Sequence, residues 1–312
     1  MRRLWIVGLI VMAMLAVAGP ASACAGLLSA DGGIPLLRTT TLAAYAGGVE
    51  HYVTSFQYAG GGAEFGSIVP LPGVPTKVRR GGAWTLERLL LETQSQQDGL
   101  VALSTADQAA RSEAQVLQEV RIGALDLTVL RGGGRAVGDW ARRHGFSLPP
   151  DAPEVLDFYA DRSPIFLAAR YDPETAAARG TSIGEGTPVH LTIPTGDPWV
   201  PLRILGLGAA PSDRIDADVF LLTERRPALL PVPAPGLSLQ TSQRASAELL
   251  TDLRGDRGMG WLPEDMWLSH LRVGARAREL DYDLAVDASG TGMPSATAAG
   301  LALLAQPARG RR

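Results

Sequence analysis

Apolar and polar residues alternate along the first third of the chain. Leu36 to Tyr45 is rich in threonine and aliphatic residues, Gly47-Gly48 is a hairpin signal, and Val49 to Tyr58 follows. Successive side chains on a strand point to opposite faces. Tyr52, Phe56 and Tyr58 therefore share one face of the second strand, and Val49, His51 and Val53 the other. Gly60-Gly61-Gly62 makes a further turn and Phe65 to Leu71 a third strand, which predicts an antiparallel meander. Pro70, Pro72 and Pro75 end the pairing, because proline lacks the N–H that a ladder needs.

The period then becomes helical. Leu86, Leu89, Leu90 and Thr93 predict a helix that starts with Thr85 as N-cap and runs to Gln96. After a polar segment, Val116 to Val129 reads as a strand, with its clearest alternation at Leu125, Leu127 and Val129. Gly132-Gly133-Gly134 leads into a helix with Val137, Trp140, Ala141 and His144 on one face and Gly145 as its stop. Asp151 and Pro153 open a short helix through Tyr159. Strands are expected again at Ile165–Tyr171, Val189–Ile193, Leu202–Leu205 and Val219–Thr223.

Pro231 to Gly236 is the best linker, followed by a helix over Ala245–Leu253 and paired strands over Met266–Val273 and Leu280–Val286. In the last strand Leu280, Tyr282, Leu284 and Val286 alternate with Asp281, Asp283, Ala285 and Asp287, which predicts one buried and one wet face. The class expected is α+β, a mainly antiparallel β-sheet with several short packed helices. The expected organisation is a signal peptide over 1–23, a main α+β domain over 24–230 and a proline-rich linker over 231–240. A helix-plus-hairpin segment over 241–290 then packs on the main domain, and a flexible tail covers 291–312.

Composition narrows the class. Of 312 residues, 46% are apolar and 20% charged, which suits a globular core and excludes intrinsic disorder. A single cysteine excludes a disulfide scaffold, and a net charge of −3 leaves no basic field for nucleic acid.

Residues 1–23 read as an export signal. Arg2 and Arg3 form a basic start, Leu4 to Ala18 an apolar run, and Ala21-Ser22-Ala23 puts small residues where a signal peptidase reads. That apolar run is 15 residues, short of the roughly 20 that a membrane span needs. The expected location is extracytoplasmic, secreted or in the cell envelope. Processing at Ala21, Ala23 and Cys24 would leave Cys24 first. A lipoprotein would also be cut before such a cysteine, but that signal usually has a larger aliphatic residue where Ala21 stands. Membrane attachment through a Cys24 lipid is the minority reading.

Local motifs for chemistry fail one by one. His51, His144, His190 and His270 have no metal-ligand neighbour at close spacing, so no local zinc motif exists. His51, His190 and His270 all lie on expected strands, which leaves a site gathered from distant strands open. The competing reading makes them polar-face residues. His144 suits the carbonyl end of its helix. No G-x-S-x-G elbow occurs, and Gly132-Gly133-Gly134 lacks the Lys-Ser/Thr of a phosphate loop. Counted from Asp281, the sixth and twelfth positions of a calcium loop are Val286 and Gly292, not glycine and glutamate. Arg272, Arg276 and Arg278 are instead the expected cross-strand partners of Asp281, Asp283 and Asp287. Glu154, Asp157 and Asp161 read as a solvated helix face.

Several segments together resemble a known bacterial family. They are Cys24-Ala25-Gly26 directly after the signal, Gly66 to Pro72 (GSIVPLP), Pro188 to Pro194 (PVHLTIP), Trp199 to Arg203 (WVPLR) and Trp267 to Arg272 (WLSHLR). On these the chain resembles the family catalogued as domain of unknown function 2330, over nearly the whole chain after the signal. The resemblance implies an exported or envelope-associated protein and carries no catalytic residue with it. The family often has a second cysteine soon after the first, where this chain has Leu27, Leu28 and Ser29, and often a terminal membrane span. Here the run Ala298 to Ala305 is too short for one.

Two functions from different classes are therefore expected. The first is a non-enzymatic binding, interaction or structural module of the cell envelope, with an envelope component or protein as partner and with no cofactor, metal or nucleic acid. The second is an extracytoplasmic hydrolase whose site is assembled from dispersed residues such as His51, His190 and nearby carboxylates. The failed local motifs favour the first.

Overall fold

The computed structural model describes residues 27–29, 36–58, 64–93, 114–178, 186–232 and 236–301. Ala21, Ala23, Cys24 and the rest of the signal lie outside the described residues.

Seven strands form the larger sheet, in the order β13 (Leu237–Arg244), β14 (Trp267–Arg276), β11 (Arg214–Thr223), β2 (Leu36–Ala46), β3 (Val49–Tyr58), β9 (Val189–Pro194) and β5 (Lys77–Arg80). Neighbours are antiparallel except β2 and β11, which run parallel. Gly47 and Gly48, both at positive φ, make the two-residue turn between β2 and β3. A second, antiparallel sheet runs β1 (Leu27–Ser29), β4 (Phe65–Pro70), β8 (Ile165–Tyr171), β7 (Leu125–Arg131) and β6 (Gln115–Ile122). Three short strands, β10 (Trp199–Val200), β15 (Leu284–Asp287) and β12 (Ala228–Leu230), make a third sheet.

Period-2 alternation sorts the side chains into layers. Ala43, Tyr52, Leu191, Val219 and Leu271 of the seven-stranded sheet meet Val69, Leu127, Val129 and Leu167 of the five-stranded sheet in one core. The opposite face of the smaller sheet, with Ile68, Leu130 and Phe166, is covered by α2 (Gly134–Arg143) and α3 (Ala152–Ala160) through Val137, Trp140, Leu156 and Tyr159. The opposite face of the larger sheet, with Leu42, Ala44, Val53 and Phe220, is covered by α1 (Ala83–Thr93) and α5 (Ala247–Gly255) through Leu86, Leu89, Leu249 and Leu253. A short α4 (Pro173–Ala178) follows β8. The result is helices, sheet, sheet, helices: an α+β fold, mainly antiparallel. Among the described residues no helix is long and apolar enough to cross a membrane.

The glycine triplet before α2 serves helix contact. A Cβ on Gly134 would lie 2.4 Å from the Asp157 backbone nitrogen, so α2 and α3 touch through backbone. Gly134→Ala is expected to lower the unfolding free energy by about 1–3 kcal/mol, measured by denaturant titration. Gly133→Ala, with no atom within 4 Å of its Cβ, should change little.

Several elements depart from the pattern read in the sequence. The meander stops after two strands: β4, buried along its whole length, pairs with β1 and β8 in the other sheet, and β9 takes the place beside β3. Val116 to Val129 is a hairpin that turns at Gly123 (φ +63°), since φ in that region breaks a strand. Leu202 to Leu205 is not a strand but enters a 3-10 turn, Arg203–Gly206. The backbone N–H groups of Leu202 and Arg203 donate to the Asp283 carboxylate, and that of Ile204 to the Tyr159 hydroxyl, so side chains replace the ladder.

Helix α1 starts at Ala83, two residues before Thr85, and is capped from afar: Asp256 Oδ2 accepts from both Thr85 N and Thr85 Oγ1 at 2.6 Å. Its expected end at Gln96 lies outside the described residues. The strands Met266–Val273 and Leu280–Val286 do not pair with each other. β14 lies between β11 and β13, and β15 between β10 and β12. Asp283, expected on the wet face, is 0% exposed. Leu237 to Gln240, within the proline-rich stretch 231–240, already belong to β13. Residues 296–299 form a short helix, α6 (Ala296–Ala299), whose Ala299 carbonyl accepts from Asp283 N.

Candidate functional site: a buried histidine pair beside Arg79

Strand register places His51 opposite Thr192 and Val53 opposite His190. The two histidines are therefore diagonal neighbours on the face that carries α1 and α5. His51 Nδ1 and His190 Nε2 lie 3.0 Å apart, with one of them donating. Across the next strand pair Arg79 stands directly opposite His190, and Lys77 opposite Thr192. The loop after α5 closes the group. Trp261 stacks on His51 with ring centres 3.5 Å apart and planes 10° apart, and Arg79 donates to the Gly258 carbonyl at 2.9 Å.

Two glycines make this closure geometrically possible. Gly258 has φ +84°, and a Cβ there would sit 3.1 Å from His190 Nδ1 and 3.3 Å from Arg79 Nε. Gly82 leaves room for the Asp256 carboxylate, which would otherwise meet a Cβ at 1.8 Å. Asp256 thus ties the loop to the start of α1 and presents Gly258 and Trp261 to the histidines.

Burial first, then the charges of Arg79 and Lys77, pushes His51 down to about 4. Burial, Arg79 and His51 push His190 down to about 3. Both rings are neutral at pH 7. Around them, Arg79 Nε, His190 Nδ1, Thr192 Oγ1 and Trp261 Nε1 are buried without a hydrogen-bond partner among the described residues. Arg79 Nε and Trp261 Nε1 can only donate, and His190 Nδ1 donates when Nε2 accepts from His51. The chemistry this offers is donation to an acceptor group. A general base works best with a pKa near the working pH, which these rings lack.

His270 does not join the pair. Register runs His270, Phe220, Leu42, Val53, His190 across neighbouring strands, which separates the two histidines by about 19 Å at ~4.8 Å per strand. His270 instead bonds Asp218 at 2.8 Å and stacks on Phe220, while Arg38 takes the other Asp218 oxygen. Burial opposes ionisation of Asp218, but the His270 bond and the Arg38 charge outweigh it and hold the carboxyl below its usual range. This network clips β2, β11 and β14 together.

His144 caps its own helix, with Nδ1 2.8 Å from the Trp140 carbonyl and its ring stacked on Trp140. Glu154, Asp157 and Asp161 are exposed, and Glu154 pairs with Arg203. The expected pairing of Asp283 with Arg272, Arg276 or Arg278 is corrected: its partner is Arg162, on the loop after α3, because Asp283 points into the core beneath that helix. Asp287 turns onto Ser289 and Gly292 backbone N–H groups. It borders a cleft of about 260 Å³ with Tyr45, Asp197, Ser289 and Met293. Among the described residues no group of three or more His, Cys, Asp and Glu is placed to hold a metal ion.

Arg79, Gly258 and Trp261 carried no local signal in the sequence. Arg79 sits in an ordinary strand of basic residues and Trp261 in a loop, 182 positions downstream. Only the pairing of β5, β9 and β3 and the anchored loop bring them together.

A comparison with solved structures finds "Crystal structure of baculovirus P35" at 8% identity and a TM-score of 0.39, over 68% of this chain and 76% of that one. No curated protein matches the chain. The family described as "Uncharacterized protein conserved in bacteria (DUF2330)" matches residues 19–229, which include Arg79 and both histidines of the pair. That match covers more than half of the chain, and the protein therefore belongs to the DUF2330 family.

Proposed function

We propose that the protein is an exported module of the cell envelope that binds a ligand or partner and performs no catalysis. One observation carries the binding half of this reading: the neutral histidine pair is flanked by unpaired donors and by Arg79 and Lys77. Such a site suits recognition of an acceptor-rich group. A hydrolase built on His51 and His190 would need a carboxylate to orient a ring and a hydroxyl or water to activate. The groups against this pair are the Trp261 indole, the Arg79 guanidinium and the Thr192 hydroxyl, and the charges that act on it come from Arg79 and Lys77, so the orienting carboxylate is what such a hydrolase would lack among the described residues.

The export half rests on the sequence: Arg2 and Arg3, the apolar run to Ala18, and Ala21-Ser22-Ala23 before Cys24. Mass spectrometry of protein from a native host should place the N-terminus at Cys24, and retention of Met1 to Ala23 would overturn export. Most of the protein should be recovered in the soluble extracytoplasmic fraction. If wild type stays with membranes through high salt while Cys24→Ser becomes soluble, Cys24 carries lipid and the unanchored reading is wrong.

A further inference from the structure

Tyr45 follows Ala43 by two positions on β2, so it points to the face of the larger sheet opposite the histidine pair. There it borders the cleft of about 260 Å³, which the β9–β10 loop, the turn after β15 and the start of α6 complete. Pockets that hold drug-sized ligands start at roughly 300 Å³, so this one has room for a smaller molecule. Backbone and side-chain bonds fix its walls. The Tyr45 hydroxyl donates to the Thr195 carbonyl at 2.9 Å, Thr195 N to the Gly48 carbonyl at 3.2 Å, and Val286 N to the Pro198 carbonyl at 3.0 Å.

Charge in the cleft has one sign. Asp197 and Asp287 line it, and among the described residues no Lys, Arg or His does. Asp197 is exposed, and its carboxylate has no partner among the described residues. Asp287 is ionised at pH 7, because the Ser289 hydroxyl and then the Gly292 and Ser289 backbone N–H groups hold its carboxyl below the usual range. Burial first, then Glu50, Asp197 and Glu224, raises the Tyr45 hydroxyl, so it keeps the proton it gives to Thr195 while its oxygen still accepts. Beside these acceptors stand Met293, 62% exposed, with Pro198 and Ala298, an apolar wall.

We propose that this cleft binds a small organic cation, an ammonium or guanidinium group on a short apolar stem, with its head at Asp197 and Asp287 and its stem against Met293. Such a head carries several N–H donors and no acceptor, which suits walls that mainly accept. An anion would meet two carboxylates with no cation to offset them. A calcium ion needs six to eight oxygen ligands, and among the described residues no group of three or more His, Cys, Asp and Glu is placed to hold a metal. The site is separate from the histidine pair and opposite to it in charge, so it stands or falls apart from the reading above.

Calorimetry at pH 7 and about 0.15 M salt, where loose surface attraction is screened, tests this with butylamine and separately with butylguanidine. Saturable binding of at least one is expected, and the tighter of the two identifies the head group. Butan-1-ol, with the same stem and no charge, should not bind. Asp197→Asn should weaken the cation by about tenfold, while Asp197→Glu keeps the charge and should keep most of the affinity. Asp197 is exposed, so both variants keep the fold. The Met293 methyl signal in NMR, assigned through Met293→Leu, should move as the cation binds, which attraction to acidic groups elsewhere on the surface would not cause. Failure of both cations to saturate the folded protein, equal binding of butan-1-ol, an unchanged affinity in Asp197→Asn, a still Met293 signal, or saturation by calcium in place of either cation overturns the proposal.

Discussion

Replacing Asp283 by asparagine is expected to lower the unfolding free energy by about 3–5 kcal/mol. Asp283 is fully buried, and both its oxygens are spoken for. Oδ1 accepts from the Tyr159 hydroxyl at 2.8 Å, from Leu202 N at 2.7 Å and from Arg203 N at 3.1 Å. Oδ2 pairs with Arg162, whose side chain is 7% exposed and lies over the rings of Phe158, Tyr159 and Trp199. Burial raises this carboxyl above the usual range, and Arg162 with the hydrogen bonds opposes that rise. Asparagine has one oxygen and one NH₂, so in either orientation a donor faces donors. Arg162 keeps its charge and loses its partner. Asp281→Asn, two positions away and exposed, is the control and should cost under about 1 kcal/mol. Urea titrations of the two variants give the comparison. Equal and small losses would mean that Asp283 faces solvent, as its alternation with the apolar neighbours Tyr282 and Leu284 suggests on its own.

Glu50→Gln is expected to stabilise the protein, by an amount that grows as pH rises from about 4.5 to about 8. Glu50 is 0% exposed with neither carboxyl oxygen hydrogen-bonded among the described residues, and burial pushes it up to about 8. In the unfolded chain the group ionises near 4.5. Between these two values the unfolded state gives up its proton while the folded state keeps it. Stability is thus undiminished below about 4.5 and falls until about pH 8, by roughly 3–5 kcal/mol across the window. Glutamine needs no proton and removes that loss. His51 and His190 act at the other end: their lowered values make stability drop as pH falls below 6.5, in both proteins alike. The difference between wild type and Glu50→Gln, measured from about pH 4 to about pH 9, isolates Glu50. It should be near zero at the acid end and largest at the alkaline end. A difference that does not change with pH would mean that the Glu50 carboxyl is solvated.

Elements with their own punctuation were legible from the chain. β8 begins and ends at Ile165 and Tyr171 as expected, and β2 and β3 turn at the two glycines that separate them. α5 needed only a shift, because Ser246 caps it through Leu249 N at 3.1 Å. Short apolar runs without a period were not legible. Leu202 to Leu205 suits a strand or a turn equally, and the Asp283 carboxylate, 80 residues beyond Arg203, decides for the turn. The histidine pair was half visible: His51 and His190 were seen as strand residues that a fold could gather. Their neighbours Arg79 and Trp261 were not.

The chain by itself determined which residues alternate, where glycine and proline interrupt them, and hence an α+β protein of mainly antiparallel strands. Periodicity and turn chemistry are local properties, carried by neighbours within a few positions. Tertiary structure decided which strand lies beside which. It sent β4 to a second sheet, placed β9 beside β3, and put His270 four strands from His190. It also decided which polar groups are buried. Burial depends on both faces of an element being covered, and the second cover comes from distant parts of the chain. α3 and its following loop close over Asp283, and the loop after α5 closes over the histidines, so neither Asp283 nor His190 announces its burial in its own segment.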